Sequence, residues 1–233
     1  MVDSTEKEKE EKSLFEKIID GDLPCDFVME NEHVFCFKDI SPQAPSHYLM
    51  VPKKRVNQFR EVVNSQKSLE QAAHCLQALI VLGDEKFKGQ HFGLCINDGV
   101  GALQTVFHLH FHFLAERILR SIDLSEQVKA KSIIKTSDYE VFNLPKPQED
   151  PQGPNYHGLQ LNVQVPKAFL QAENQNQKAL GIWESLINAI VDAAKRLQYG
   201  DYRVLLHSNT IVDEHGRLNV VLVSGEGMGW PPF

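Results

Sequence analysis

Gln104-Thr-Val-Phe-His-Leu-His-Phe-His-Phe-Leu114 is the stretch on which the reading of this chain turns. Taken as a strand, its period of two sends Val106, His108, His110 and His112 to one face and Phe107, Leu109, Phe111 and Phe113 to the other. The aromatic and aliphatic face can pack beneath a helix, which leaves three imidazoles free to meet a ligand without breaking a core. Solubility alone would be served by Thr, Lys or Gln, so three same-face histidines in a chain with ten point to chemistry. A metal site is the main rival. Yet same-face neighbours on a strand stand ~7 Å apart, whereas zinc ligands converge from several directions, and no HExxH or paired cysteine lies nearby. The expectation is no metal and no cofactor.

Upstream of this stretch, Leu14, Phe15, Ile18 and Ile19 have helical spacing and stop at Gly21 and Pro24, which predicts a short helix. Two strands follow, one in 26–39 broken by a turn at Asn31-Glu32 and one in 47–54. Leu69, Ala72, Ala73, Leu76 and Ile80 form the stripe of an amphipathic helix over 67–83, and 92–97 reads as another strand. Residues 1–13 are rich in Glu and Lys and lack apolar content to offset ordering entropy, so a disordered tail is expected there.

Downstream, 145–155 is dense in Pro and turn formers. Beyond it the order of pieces repeats: a strand ending in Val-Pro-Lys (161–167), a helical stripe (179–197), an aromatic-led strand (202–207) and a last strand (217–224). Phe92 to His108 spans the same separation as Tyr202 to Leu218. This implies a duplication, with Leu218, Val220 and Leu222 where His108, His110 and His112 stand, and Leu161 in place of His47. The second unit is then catalytically silent. The expected fold class is α+β, an antiparallel sheet packed with helices, in two units at 14–120 and 121–233 that pair within one chain as a pseudo-dimer; association of further copies stays open.

A net charge of −7 opposes broad affinity for nucleic acid or anionic membranes. No apolar run approaches the ~18 residues of a membrane span, and the N-terminus lacks a secretory or transit pattern, so a cytosolic or nuclear address is expected. Cys25, Cys36, Cys75 and Cys95 are widely spaced in apolar surroundings and read as free thiols.

The run His108-Leu-His110-Phe-His112-Phe-Leu resembles the motif of the histidine-triad family, and the resemblance extends over about 14–114 through LFEKIIDGDLP, FKDISPQAPSHYLMVPKK, INDG and QTV. It implies a purine nucleotide site. His110 would be the nucleophile, attacking the α-phosphorus to give a nucleotidyl-histidine that water then hydrolyses. His108 and His112 would flank the phosphate, and His47 would support the triad. Gln104 and Thr105 match a pair beside the scissile phosphate, with the hydroxyl near the leaving atom. Asn97 would reach the phosphate and Asp39 the ribose hydroxyls, while Phe15, Ile18, Leu23, Phe37 and Ile40 match the clamp on the base, a role no better indicated for them than core packing. Relatives carry Gly before the Gln, where this chain has Leu103. Their chains also end in Trp-Pro-Pro near the partner's site, and here Trp230-Pro231-Pro232 closes the second half. The resemblance favours a nucleoside phosphoramidase, with a dinucleoside polyphosphate hydrolase or a non-catalytic nucleotide-binding scaffold as alternatives.

Overall fold

The computed structural model describes residues 11–116, 132–146, 151–166 and 168–230. The expected tail up to residue 10, the unit boundary at 120, part of the Pro-rich linker and Pro231-Pro232 lie outside them.

Helix α1 (Leu14–Ile19) begins with Ser13, whose hydroxyl accepts the Glu16 amide while the Glu16 carboxylate accepts the Ser13 amide, a reciprocal cap that fixes where the helix starts. Ser13 thus belongs to the fold, not to the tail. Strands β1 (Phe27–Glu30) and β2 (Val34–Lys38) join through a turn in which the Asn31 side chain accepts the amides of His33 and Val34. Strand β3 (Ser46–Pro52) leads to α2 (Gln66–Lys86), then β4 (Phe92–Asp98) and β5 (Phe111–Ala115). The second half contributes β6 (Ser132–Lys135), β7 (Tyr139–Asn143), β8 (Asn155–Gln164), α3 (Gln177–Arg196), β9 (Tyr202–His207) and β10 (Arg217–Ser224).

These strands form one sheet in the order β1-β2-β3-β5-β4-β9-β10-β8-β7-β6, with antiparallel neighbours throughout. The order is the same read inward from either edge, and the halves meet at β4 and β9, from Gly93↔His207 to Asp98↔Tyr202. Helices α2 and α3 cover one face of the sheet, and a single apolar cluster runs beneath both, from Phe113 and Phe92 on one side to Trp183 and Tyr202 on the other. Helix α2 lies so close that a Cβ on Gly83 would stand 2.4 Å from the Phe92 ring. No helix of the described residues is long and apolar enough to cross a membrane.

The structure corrects the expected extent of the histidine strand. The ladder begins only at Phe111, and Phe107 is exposed instead of packed under a helix. Continuing the Met50↔Phe111 register by two residues would set Pro52 opposite Leu109. Proline has no N–H to give, so the ladder cannot extend; the Leu109 amide turns to the Val56 carbonyl at 2.6 Å. It also corrects the internal alignment. Leu161, Leu218, Val220 and Leu222 all lie in the core under the helices, whereas Val221 and Val223 pack on the open face. With Phe92 matched to Tyr202, Cys95 falls on Leu205; Cys95 pairs with His112 and Leu205 with Val221. Val221 and Asn219 therefore take the places of His112 and His110, and the slip of one residue had turned every side chain to the wrong face.

Candidate functional site

The open face of β5 and the loop that precedes it form a cleft of about 490 Å³, closed at one side by Phe15 of α1 and at another by Trp230. A volume of that order suits a small-molecule ligand.

Hydrogen bonds assign the tautomer of each histidine. His110 Nδ1 lies 2.8 Å from the His108 carbonyl, which can only accept, so Nδ1 carries the proton and the Nε2 lone pair is free toward the cleft. His47 Nδ1 accepts the Gln43 amide at 3.2 Å, which puts the His47 proton on Nε2, where it is donated to His112 Nδ1 at 3.0 Å. His112 in turn carries its proton on Nε2, a buried N–H that no described residue accepts. An oxygen of a ligand could take it. Burial pushes His110 down to about 4 and lowers His47, His108 and His112 as well, so all four are neutral at pH 7.

His108 differs from its expected role. Its Nε2 donates to the Pro52 carbonyl at 2.8 Å and its Nδ1 accepts the Ser13 hydroxyl at 2.9 Å, so both nitrogens are spent. It is wholly buried and does not line the cleft. What it supplies to His110 is its backbone carbonyl. Gln104 is likewise engaged inward: its oxygen accepts the Gly99 amide at 3.0 Å and its amide donates to the Asn57 and Val106 carbonyls. That bracing fixes the loop on which Thr105 stands exposed at the cleft.

Asp39 and Asn97 line the cleft, as do Phe15 and Ile40, the latter almost fully exposed at the rim. Phe15 meets the His110 ring edge-on at 5.1 Å and Phe37 at 5.5 Å. Phe37 sits behind it in a small core with Ile18 packed alongside, and Leu23 is exposed away from the cleft. Of the five apolar residues matched to the base clamp, the structure brings two to the cleft.

Leu103 adopts φ 67°, the left-handed region where a Cβ costs roughly 1–2 kcal/mol. A glycine would hold this backbone without that cost, and the Leu103 side chain stands at the cleft mouth, 43% exposed. The loop opens at Gly99 with φ 92°, where an added Cβ would lie 1.9 Å from Asp201 Oδ1. That carboxylate accepts the Gly101 amide at 2.7 Å and Arg60 at 3.0 Å, so it cannot swing aside freely. Gly99→Ala is expected to cost on the order of 3 kcal/mol, combining backbone strain with the loss of those bonds. A melting temperature unchanged within a degree would contradict this.

Asp39, His47 and His112 place one donor atom each within 4.8 Å of one another, the one such group among the described residues. The His47–His112 contact is a proton-bearing hydrogen bond. A metal at that point would need the His47 proton removed while Nδ1 still accepts from Gln43, which makes an imidazolate of it, or would break the Gln43 bond. The donor set as arranged fits the hydrogen-bonded pair better than an ion.

Sequence reasoning missed Ser13, Gln43 and Arg203. The first carried a signal, since Ser-x-x-Glu before an apolar run marks a helix start; nothing in the sequence tied the other two to the site. Trp230 stands 4.5 Å from the His112 ring and 6.1 Å from that of His47. Cys25 is half-buried, and burial pushes the enclosed Cys36 and Cys95 thiols up to about 12, which keeps them protonated and unreactive.

A family model, HIT domain, matches residues 20–118. An uncharacterized HIT-like protein of Synechocystis sp. is 37% identical over 107 residues, which is 46% of this chain and 92% of that protein. A 14 kDa zinc-binding protein of Zea mays is 32% identical over 105 residues, 45% of this chain and 82% of its own length. Among solved structures, a HIT family hydrolase from Clostridium thermocellum shares 33% identity with a TM-score of 0.43, covering 48% of this chain and 96% of that one. The chain belongs to the histidine-triad (HIT) family.

Proposed function

We propose that the chain is a nucleotide hydrolase that releases a purine nucleoside monophosphate from an amine, through a nucleotidyl intermediate on His110. The observation that carries this reading is the fixed tautomer of His110: a neutral imidazole with its proton held by the His108 carbonyl and its Nε2 lone pair open to the cleft. In the first step Nε2 forms a bond to the α-phosphorus as the bond to the leaving nitrogen breaks, the nitrogen taking a proton from solvent and departing as the free amine. The unpartnered N–H of His112 stabilises charge on a phosphoryl oxygen. In the second step water attacks the phosphorus, giving up a proton to solvent, and the His110 bond breaks, which releases the nucleoside monophosphate and returns the neutral imidazole. Asp39, accepting the Ser41 amide at 2.7 Å through one oxygen, keeps the other beside the cleft for ribose hydroxyls. Membership of the histidine-triad family supports this reading.

The second half is proposed as a degenerate copy paired with the first as a pseudo-dimer. The palindromic strand order supports it, as does the seat of Trp230 against His112, which puts the C-terminal segment of the second half beside the site of the first. Asn219 and Val221, the residues in the triad's places, supply no nucleophile.

Turnover of adenosine 5′-phosphoramidate and of a diadenosine polyphosphate by the wild-type chain tests the substrate class. The expected result is a kcat/KM at least tenfold higher for the phosphoramidate. The reverse order would select the polyphosphate reading, and no turnover of either would select a binding protein.

A further inference from the structure

Arg203 on β9 belongs to the second half but bonds to Asn97, which lines the cleft of the first. It is 2% exposed. Its Nε donates to Asn97 Oδ1 at 2.7 Å, one terminal nitrogen to the Gly229 carbonyl at 2.7 Å and the other to the Ala102 carbonyl at 3.1 Å, and the guanidinium lies 5.5 Å from the centre of the Trp230 ring. Every one of these acceptors is neutral. Among the described residues no carboxylate lies within ion-pair distance of Arg203; Asp98 on β4 and Asp201 just before β9 are paired with Arg60. A buried charge without a counter-charge is costly, and a ligand that brings one is bound more tightly for it.

The placement is one-sided. On the match of Phe92 to Tyr202, the counterpart of Arg203 is Gly93 and the counterpart of Asn97 is His207, and those two residues pair with each other across the seam. An Arg–Asn pair is thus present only on the side that holds the histidines, where packing alone would favour neither side.

We propose that Arg203 is a positioning residue for the phosphate of a bound nucleotide, holding the Asn97 oxygen so that its NH2 turns to the cleft and offering a guanidinium charge that the phosphate balances. The proposal rests on the nucleotide reading above. One side chain also ties the phosphate loop, through Ala102, to the segment that seats Trp230 on His112.

Calorimetric titration of the full chain with AMP and with adenosine separates charge recognition from scaffolding. In wild type AMP is expected to bind more tightly than adenosine. Arg203→Met is expected to weaken AMP about 30-fold, as for loss of a charged hydrogen bond, and to leave adenosine within twofold. Arg203→Lys keeps the charge without the three-point fork and is expected to fall between. Equal weakening of both ligands, or AMP binding unchanged in both variants, would overturn the proposal while leaving the nucleotide reading intact. Failure of wild type to prefer AMP would overturn the nucleotide reading and the proposal with it. Should Arg203→Met not fold by thermal melting, the same comparison with Arg203→Lys decides.

Discussion

Replacing His110 with alanine is expected to lower kcat/KM for adenosine 5′-phosphoramidate by about 10⁴-fold or more, as removal of a nucleophile does when no neighbour can replace it. The structure says why none can. His108 has both nitrogens committed, to Pro52 and Ser13, and is sealed from the cleft. His112 has its lone pair occupied by the His47 proton and presents only an N–H. His110 alone offers an unshared pair. The loss should fall on kcat, because the cleft walls contributed by Phe15, Asp39 and Asn97 remain, and AMP affinity should change by less than tenfold. A variant that retains a tenth of wild-type activity would contradict the assignment.

Stability is expected to fall steeply between pH 6.5 and about 4. His110 and His207 both sit at about 4 in the folded chain, driven down by burial, against ~6.5 when unfolded. Above pH 6.5 neither state binds a proton at these sites and their contribution is constant. Below it the unfolded chain takes up protons that the native chain refuses, so stability declines until the folded value is reached. Each histidine contributes on the order of 3 kcal/mol over that window. His47, His108 and His112 are displaced in the same direction and add to the slope. Against a total of ~5–15 kcal/mol for a domain, such a loss is enough to unfold it. Urea midpoints at pH 7 and pH 5 measure this directly; equal midpoints would mean that the histidines are not held neutral by burial. At pH above that unfolding, kcat/KM should stay level through pH 6, below the ordinary range of histidine, since the nucleophile is still unprotonated there.

Much of the architecture could be read from periodicity. The stripes of α2 and α3, the strands β2, β3, β4, β9 and β10 and the short α1 follow from spacing alone. Strands β6 and β7 could not: Ser132–Lys135 and Tyr139–Asn143 are short edge pieces, β6 has no buried residue to set an alternation, and they form because β8 offers a partner. The internal alignment failed by one residue at the triad because it carried the Phe92–His108 separation over to Tyr202, whereas Cys95 to His112 spans one residue more than Leu205 to Val221; Leu161 was matched to His47 through Val-Pro-Lys, and the register of β8 against β10 shifts between Gln164 and Gln160. Within the site, the histidine run and Asp39 were legible because strand period and family motif both act locally. Arg203 was not. Its role comes from a seam between halves more than a hundred residues apart in sequence, 106 for the Arg203–Asn97 bond, and no local pattern encodes that pairing. The departure at Leu103 was visible as a missing glycine, but its cost follows from the positive φ, which only the structure shows.

Everything proposed for the reaction depends on a covalent bond between His110 and the nucleotide phosphorus. Wild type and His110→Ala are mixed with adenosine 5′-phosphoramidate, quenched in base during turnover and weighed intact, then mapped by peptide. One adduct the mass of a nucleoside monophosphate is expected on wild type, on the peptide bearing His110, and none on the variant. Turnover without an adduct, or an adduct on His108 or His112, would contradict a nucleophilic His110.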